Sequence, residues 1–250
     1  MNFELTNEQQ SVKEMVRKFV DKEIIPNIQV WDRQGHFEPS ILKKLADLQV
    51  MGVCIPEEYG GAGMDYNTLA IVCAELERGD TAYRTAVSVH TGLNSMTIMQ
   101  WGTEEQKQKY LVPQAQGRKI GAFGLTEPNA GTDVAAMNTS AMRDGDYYIL
   151  NGSKTWISLC DVADHFLIFA KTNHDIGHKG ISAFIVERGF EGVETKAIKG
   201  KLGIRAGNTG EVFLNEVRVP VENRLGEEGE GFKIAMSALD NGRFTVAAGA

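Results

Sequence analysis

Apolar residues recur every three or four positions as far as about Gly121 and beyond it gather into short β-rich runs between turn residues, so the chain changes pattern in mid-course. One segment cannot present a helical stripe and a pleated face together, so the chain must build a helical layer and then a strand layer. Val12, Met15, Val16, Phe19 and Val20 form the first stripe, with Thr6 and Gln9 placed for a capping box and Pro26 expected to end the helix. A second helix is expected near Ser40 and a third near Asn67. A largely uncharged fourth from about Ala82 to Gln100 reads as the buried central helix, ended by Gly102. Thr103 and Gln106 offer another capping box for Glu104 to Leu111, expected to stop at Pro113.

After Gly121 come short β-rich runs: Tyr147–Leu150, Thr155–Ser158, His165–Phe169, Ile181–Val186, Val193–Lys196 and Gly210–Leu214, the last followed by Val219-Pro220. Asn151-Gly152 between the first two is a strong hairpin signal. From Gly229 the helical period returns. A final amphipathic helix with nothing after it cannot bury its face, so the chain is expected to be cut short within a larger helical domain. The expected fold class is α+β: an all-helical N-terminal domain (1–120), a β-barrel or sandwich domain (121–228), and the first helix of a C-terminal helical bundle (229–250).

At 250 residues, 42% of them hydrophobic, the chain can fill two cores. A net charge of −7 without a basic stripe argues against nucleic acid as a partner. No apolar run reaches the roughly 20 residues of a membrane span. The start, Met1–Thr6, is acidic and lacks an apolar run after it, so export is not expected. Cys54, Cys73 and Cys160 show no paired spacing and read as buried thiols in a reducing compartment.

Two glycine-rich stretches, Gly60–Gly63 and Gly226–Gly231, invite a dinucleotide reading. Neither sits between a strand and a helix in a βαβ unit, and the second carries three carboxylates, so no Rossmann domain is expected. His36, His90 and His165 stand alone, and His174 and His178 read as solvated loop residues; no metal is expected. The segment Phe123-Gly-Leu-Thr-Glu-Pro-Asn-Ala-Gly-Thr-Asp133 joins the two layers and gathers hydroxyls, backbone amides and glycine in one connection. By its residues alone it is either a plain turn capped by Asp133 or a cofactor loop.

That segment matches the aromatic-x-Leu/Val-Thr-Glu-Pro-x-x-Gly-Ser/Thr-Asp signature of the acyl-CoA dehydrogenase family, which this chain resembles throughout. Asn151-Gly-Ser-Lys-Thr-Trp-Ile-Ser158, Lys201-Leu-Gly-Ile-Arg205 running on to Val219-Pro220, Gly229-Glu-Gly-Phe232 and Leu239-Asp-Asn-Gly-Arg243 match further family elements in order. The resemblance implies FAD bound without a Rossmann fold. Phe123, Leu125 and Thr126 would line the isoalloxazine ring, with Trp156 and Ile157 packed beside it and Ser158 near its N5. The alternative for Trp156 is a core tryptophan on a strand. Thr132 would meet the flavin or the CoA moiety, and Asp240 and Arg243 the substrate, unless Arg243 is merely in a helix-surface ion pair.

The implied reaction is α,β-dehydrogenation of an acyl-CoA, with electrons passed to an electron-transferring flavoprotein. The family's glutamate base is expected beyond residue 250, because the other place it occupies, in isovaleryl-CoA dehydrogenase, is here Gly242. The 250 residues alone are therefore expected to be inactive and to hold FAD weakly. Ala82–Val89 looks like the part of glutaryl-CoA dehydrogenases that grips a distal carboxylate, which would make Arg84 and Ser88 its ligands; otherwise Arg84 snorkels or pairs with Glu75 or Glu77. Competing readings are an acyl-CoA oxidase and a non-catalytic flavin or acyl-CoA module. The resemblance further implies a homotetramer or homodimer in the cytoplasm, or in the mitochondrial matrix of a eukaryote, with neither nucleic acid nor membrane as partner.

Overall fold

The computed structural model describes residues 4–250, so Met1–Phe3 of the acidic start lie outside the described residues. Helix α1 (Asn7–Phe19) opens on the expected box: Gln9 N donates to Thr6 Oγ1 at 3.2 Å and Thr6 N to Gln9 Oε1 at 3.1 Å. It does not stop at Pro26. A π-helical turn over Val20–Ile24 resets the hydrogen-bond ladder, and α2 (Ile25–Gln34) restarts with Pro26 in its first turn, where a missing N–H breaks no α-helical bond. Gly35, at φ 61°, ends it.

Helix α3 (Ser40–Asp47) and α4 (Tyr66–Gly79) follow, the latter capped by Asp65 accepting from Thr68 N at 2.8 Å. The central helix runs from α5 (Thr81–Val87) through a π-helical stretch, Ser88–Ser95, into α6 (Met96–Trp101). Its middle is buried, polar residues included. The second proline expectation fails as the first did. After α7 (Glu104–Gln106), a π turn over Lys107–Leu111 leads into α8 (Val112–Ala115), which carries Pro113 in its first turn.

The glycines of Gly60–Gly63 serve packing. A Cβ on Gly61 would run into the Ile55 carbonyl, and Gly60 and Gly63 take φ values of 79° and 65°.

Strands β1 (Gly121–Gly124), β2 (Ser140–Asp144), β3 (Tyr147–Ser158), β4 (His165–Lys171), β5 (Ile181–Glu187), β6 (Val193–Ala197), β7 (Thr209–Pro220) and β8 (Arg224–Leu225) form one sheet. Its order is β6-β7-β3-β2-β4-β5-β8, with β1 parallel to β4 off that path. The expected Asn151-Gly152 hairpin is absent: both residues lie inside the long strand β3, at a register shift against β7. Gly152 adopts φ 149°, and a Cβ there would stand 2.5 Å from Thr139 Oγ1, so the glycine permits a close strand crossing. The reversal falls earlier, where Asp144 pairs with Tyr147 around Gly145 at φ 59°.

Phe166, Phe169 and Phe184 fill the sheet's core, each worth about 1.5–3 kcal/mol of burial. Helix α9 (Gly231–Gly249) then returns to the helical layer. Its start wedges against β5, where a Cβ on Gly231 would lie 2.6 Å from the Ser182 carbonyl carbon, and Gly242 packs on Leu93. No helix among the described residues is long and apolar enough to cross a membrane.

Candidate functional site

Strand β1 delivers Phe123 into the sheet core, its ring 5.1 Å from that of Phe169, and Leu125 is likewise buried. Thr126, next along, is half-exposed. Glu127 and Ala130 then exchange backbone hydrogen bonds of 3.0 and 3.1 Å around Pro128-Asn129, closing a tight turn. Thr132 and Asp133 are exposed, and Asp133 makes no side-chain cap on the short turn Val134–Ala136. The plain-turn reading, with Asp133 as its cap, therefore loses its cap.

The second matching segment meets the first directly. Thr155 N donates to the Thr126 carbonyl at 2.9 Å. Between Lys154 and Ile157 the pairing of β3 with β7 slips, and Trp156 takes φ 60°, a left-handed conformation costly for an aromatic residue. The bulge turns the indole out: Trp156 is 61% exposed, which overturns the core-tryptophan reading. Ile157 faces inward, and Ser158 is half-buried opposite Thr209. An exposed aromatic face thus stands beside a half-exposed hydroxyl and its backbone amides, on a rigid sheet.

Behind that surface lies a feature that the sequence reading did not single out. Lys154, fully buried, donates to Glu127 Oε1 at 2.7 Å and to the Leu125 carbonyl at 3.2 Å. Glu127 also accepts from Asn138 N at 2.6 Å, from Thr139 N at 3.0 Å and from Thr139 Oγ1. Burial pushes the Lys154 ammonium down to about 8 despite the pull of Glu127. Burial alone would raise the Glu127 carboxyl, but the Lys154 charge and the bonds from Asn138 and Thr139 hold it below its usual value. The available signal was the lysine inside the matched segment Asn151–Ser158, set among strand-forming residues.

The remaining expected residues lie on the helical side. Arg84 Nε meets Glu77 Oε2 at 2.5 Å, so its burial already has an anionic partner. Ser88 Oγ hydrogen-bonds Thr245 Oγ1 of α9. Arg243 Nη1 lies 3.4 Å from Asp240 Oδ1, both exposed, in the surface pair that was the alternative. A Cβ on Gly242 would run into Leu93 Cδ2, so a side chain there would have to displace the leucine. His174 and His178 are exposed, whereas His90 and His165 are buried. Burial raises Cys73 and Cys160, and the half-buried Cys54, to about 12. Among the described residues no three His, Cys, Asp or Glu side chains converge on a metal position. A cleft of about 350 Å³ between Gln34–Pro39 and Ala197–Thr209 holds Lys199, Lys201 and Arg205 and none of the expected site residues.

The family model of the acyl-CoA dehydrogenase N-terminal domain matches residues 6–118, and that of the middle domain residues 122–217. A short-chain-specific acyl-CoA dehydrogenase of Clostridium acetobutylicum is 48% identical over 248 residues, which are 99% of this chain and 65% of that protein. A chain in the structure of the electron transferring flavoprotein of Acidaminococcus fermentans superposes with a TM-score of 0.97 at 44% identity, covering 100% of this chain and 66% of that one. A glutaryl-CoA dehydrogenase from Mycobacterium smegmatis in complex with FADH2 superposes at 0.91 and 36% identity, covering 98% and 62%. This chain thus spans about 65% of the length of the curated relatives it matches. With both domain models matched in order and the whole chain superposing on these structures, the chain belongs to the acyl-CoA dehydrogenase family.

Proposed function

We propose that this chain supplies the flavin-facing and CoA-facing walls of an FAD-dependent acyl-CoA dehydrogenase that passes electrons to an electron-transferring flavoprotein. The observation that carries this reading is the outward Trp156, held at φ 60° by a strand bulge and tied through Thr155 to Thr126. A planar aromatic ligand with a polar edge fits that arrangement, and a plain turn has no use for its strain. Trp156 and Ile157 would flank the ring, Ser158 would approach its N5, and Phe123, Leu125 and Thr126 would form the opposing edge. There the Thr126 hydroxyl and backbone amides would donate to the pyrimidine oxygens. Bound flavin would supply a two-electron acceptor for hydride. Thr132 would face the flavin or the CoA moiety, and Asp240 and Arg243 would offer a carboxylate and a guanidinium to the CoA end of the substrate.

The proposed division into 1–120, 121–228 and 229–250 would put the flavin surface on the sheet and the acyl side against the central helix. The base would come from residues outside these 250, since the matching position on α9 is Gly242, which carries no carboxylate. The relatives' names support short acyl-CoA substrates and, for the mammalian relatives, a mitochondrial location; a homo-oligomer in the cytoplasm or the mitochondrial matrix completes the proposal.

A second reading, a dicarboxylyl-CoA substrate, is favoured by Arg84, only 11% exposed beside Ser88 and the end of α9. Anaerobic addition of butyryl-CoA and glutaryl-CoA to the full-length protein tests both. Bleaching of the flavin band supports the main reading. Bleaching by glutaryl-CoA that Arg84→Ala abolishes, with butyryl-CoA unaffected, supports the second. A protein that takes up no flavin defeats both, and prompt peroxide formation in air would instead indicate an oxidase.

A further inference from the structure

The geometry points to Lys154 as a positioning residue for the flavin, acting through the Leu125 carbonyl on the Thr126 amide; this inference rests on the flavin reading above. Lys154 is fully buried and lies away from the surface that carries Thr126 and Trp156, so it touches no ligand itself. Its ammonium group is shared between Glu127 Oε1 at 2.7 Å and the Leu125 carbonyl at 3.2 Å, with Met137 Sδ at 4.0 Å on a third side. Two consequences follow from elementary geometry. The Leu125-Thr126 peptide is trans, so a carbonyl drawn toward the ammonium turns the Thr126 N–H to the opposite side of the peptide, away from the core. A cation on the carbonyl also polarises the peptide, which makes that N–H a stronger donor in a dry environment.

Lys154 is moreover the neighbour of the bulge that everts Trp156, and Thr155 N bonds the Thr126 carbonyl. One buried cation therefore sets both the spacing and the donor strength of two segments that meet at the proposed flavin edge. Glu127 is its counter-ion, anchored in turn by Asn138 N and Thr139.

The test compares the full-length holoenzyme with Lys154→Met/Glu127→Gln, which removes both charges together and leaves no unpaired buried ion. Phe184→Leu, in the same sheet core, serves as a control for general destabilisation. The double variant is expected to fold, to bind FAD about tenfold more weakly, and to shift the visible absorption band of its bound flavin. Phe184→Leu is expected to lower the melting temperature without moving that band. If the methionine variant does not fold, Lys154→Gln/Glu127→Gln carries the same expectations. A folded double variant with wild-type FAD affinity and spectrum overturns the proposal, as does an equal band shift in Phe184→Leu. Failure of the wild-type protein to take up FAD would instead overturn the flavin reading on which it rests.

Discussion

Asn94 Nδ2 donates to the Ala122 carbonyl at 2.6 Å, tying the π-helical middle of the central helix to strand β1 just before the Phe123–Asp133 segment. Gln114 Nε2 supports the same asparagine at 2.8 Å from Oδ1. His90 closes the network: its Nδ1 accepts from Gly121 N at 3.1 Å, which leaves Nε2–H to donate to the Gln114 carbonyl at 3.2 Å. All three side chains are fully buried.

Asn94→Ala removes the Ala122 partner and strands the Gln114 amide in the core. An unpaired buried polar group costs about 1–3 kcal/mol. Urea denaturation should show a loss of that order, and a change below about 0.5 kcal/mol, the range of surface substitutions, would mean that the bridge contributes nothing.

His90 and His165 are both held down to about 4 by burial, so they are neutral in the folded protein at neutral pH. In the unfolded chain they protonate near their ordinary value of 6.5. Between about pH 6.5 and 4 the unfolded state therefore binds more protons. Stability must fall as pH falls through that window, by up to about 1.4 kcal/mol per pH unit for each histidine. Among the described residues His165 Nε2 meets no hydrogen-bond partner, so His165→Phe should reduce that acid slope. Melting curves from pH 7 to 5 on both proteins check this, and parallel slopes would contradict it.

Trp156→Ala separates a ligand-facing indole from a structural one. The side chain is 61% exposed, so its removal should alter stability by no more than about 0.5 kcal/mol. FAD titration of the full-length variant should show weakened binding. A large drop in melting temperature with unchanged FAD affinity would reverse the assignment.

Gly242→Glu asks whether a base can be restored on α9. A Cβ there would run into Leu93 Cδ2, so the substitution must displace that leucine and should destabilise by about 1–3 kcal/mol without raising dehydrogenation. Gain of flavin bleaching by acyl-CoA in this variant of the 250-residue chain would place the base here after all.

Much of the architecture is local in origin and was therefore readable from residue order. The capping boxes at Thr6 and Thr103 need only residues three apart, and β4, β5, β6 and β7 were marked by short runs of β-forming residues between turn residues, which is also a local signal. Pro26 and Pro113 misled because a proline stops an α-helix only where its N–H is owed to the ladder, and a preceding π turn cancels that debt. Asn151-Gly152 misled because a turn signal is local, whereas the use of Gly152 depends on Thr139 crossing over it.

The change of pattern near Gly121 thus determined by itself that helices precede strands, and the ordered motifs named the segments proposed to form the site. Only the tertiary structure decided how those segments meet. A bulge against β7 everts Trp156, a distant Glu127 gives Lys154 its counter-ion, and Glu77 pairs with Arg84. Each of these depends on partners far apart in the chain or on the desolvation that packing imposes, and neither is encoded in the spacing of a single segment.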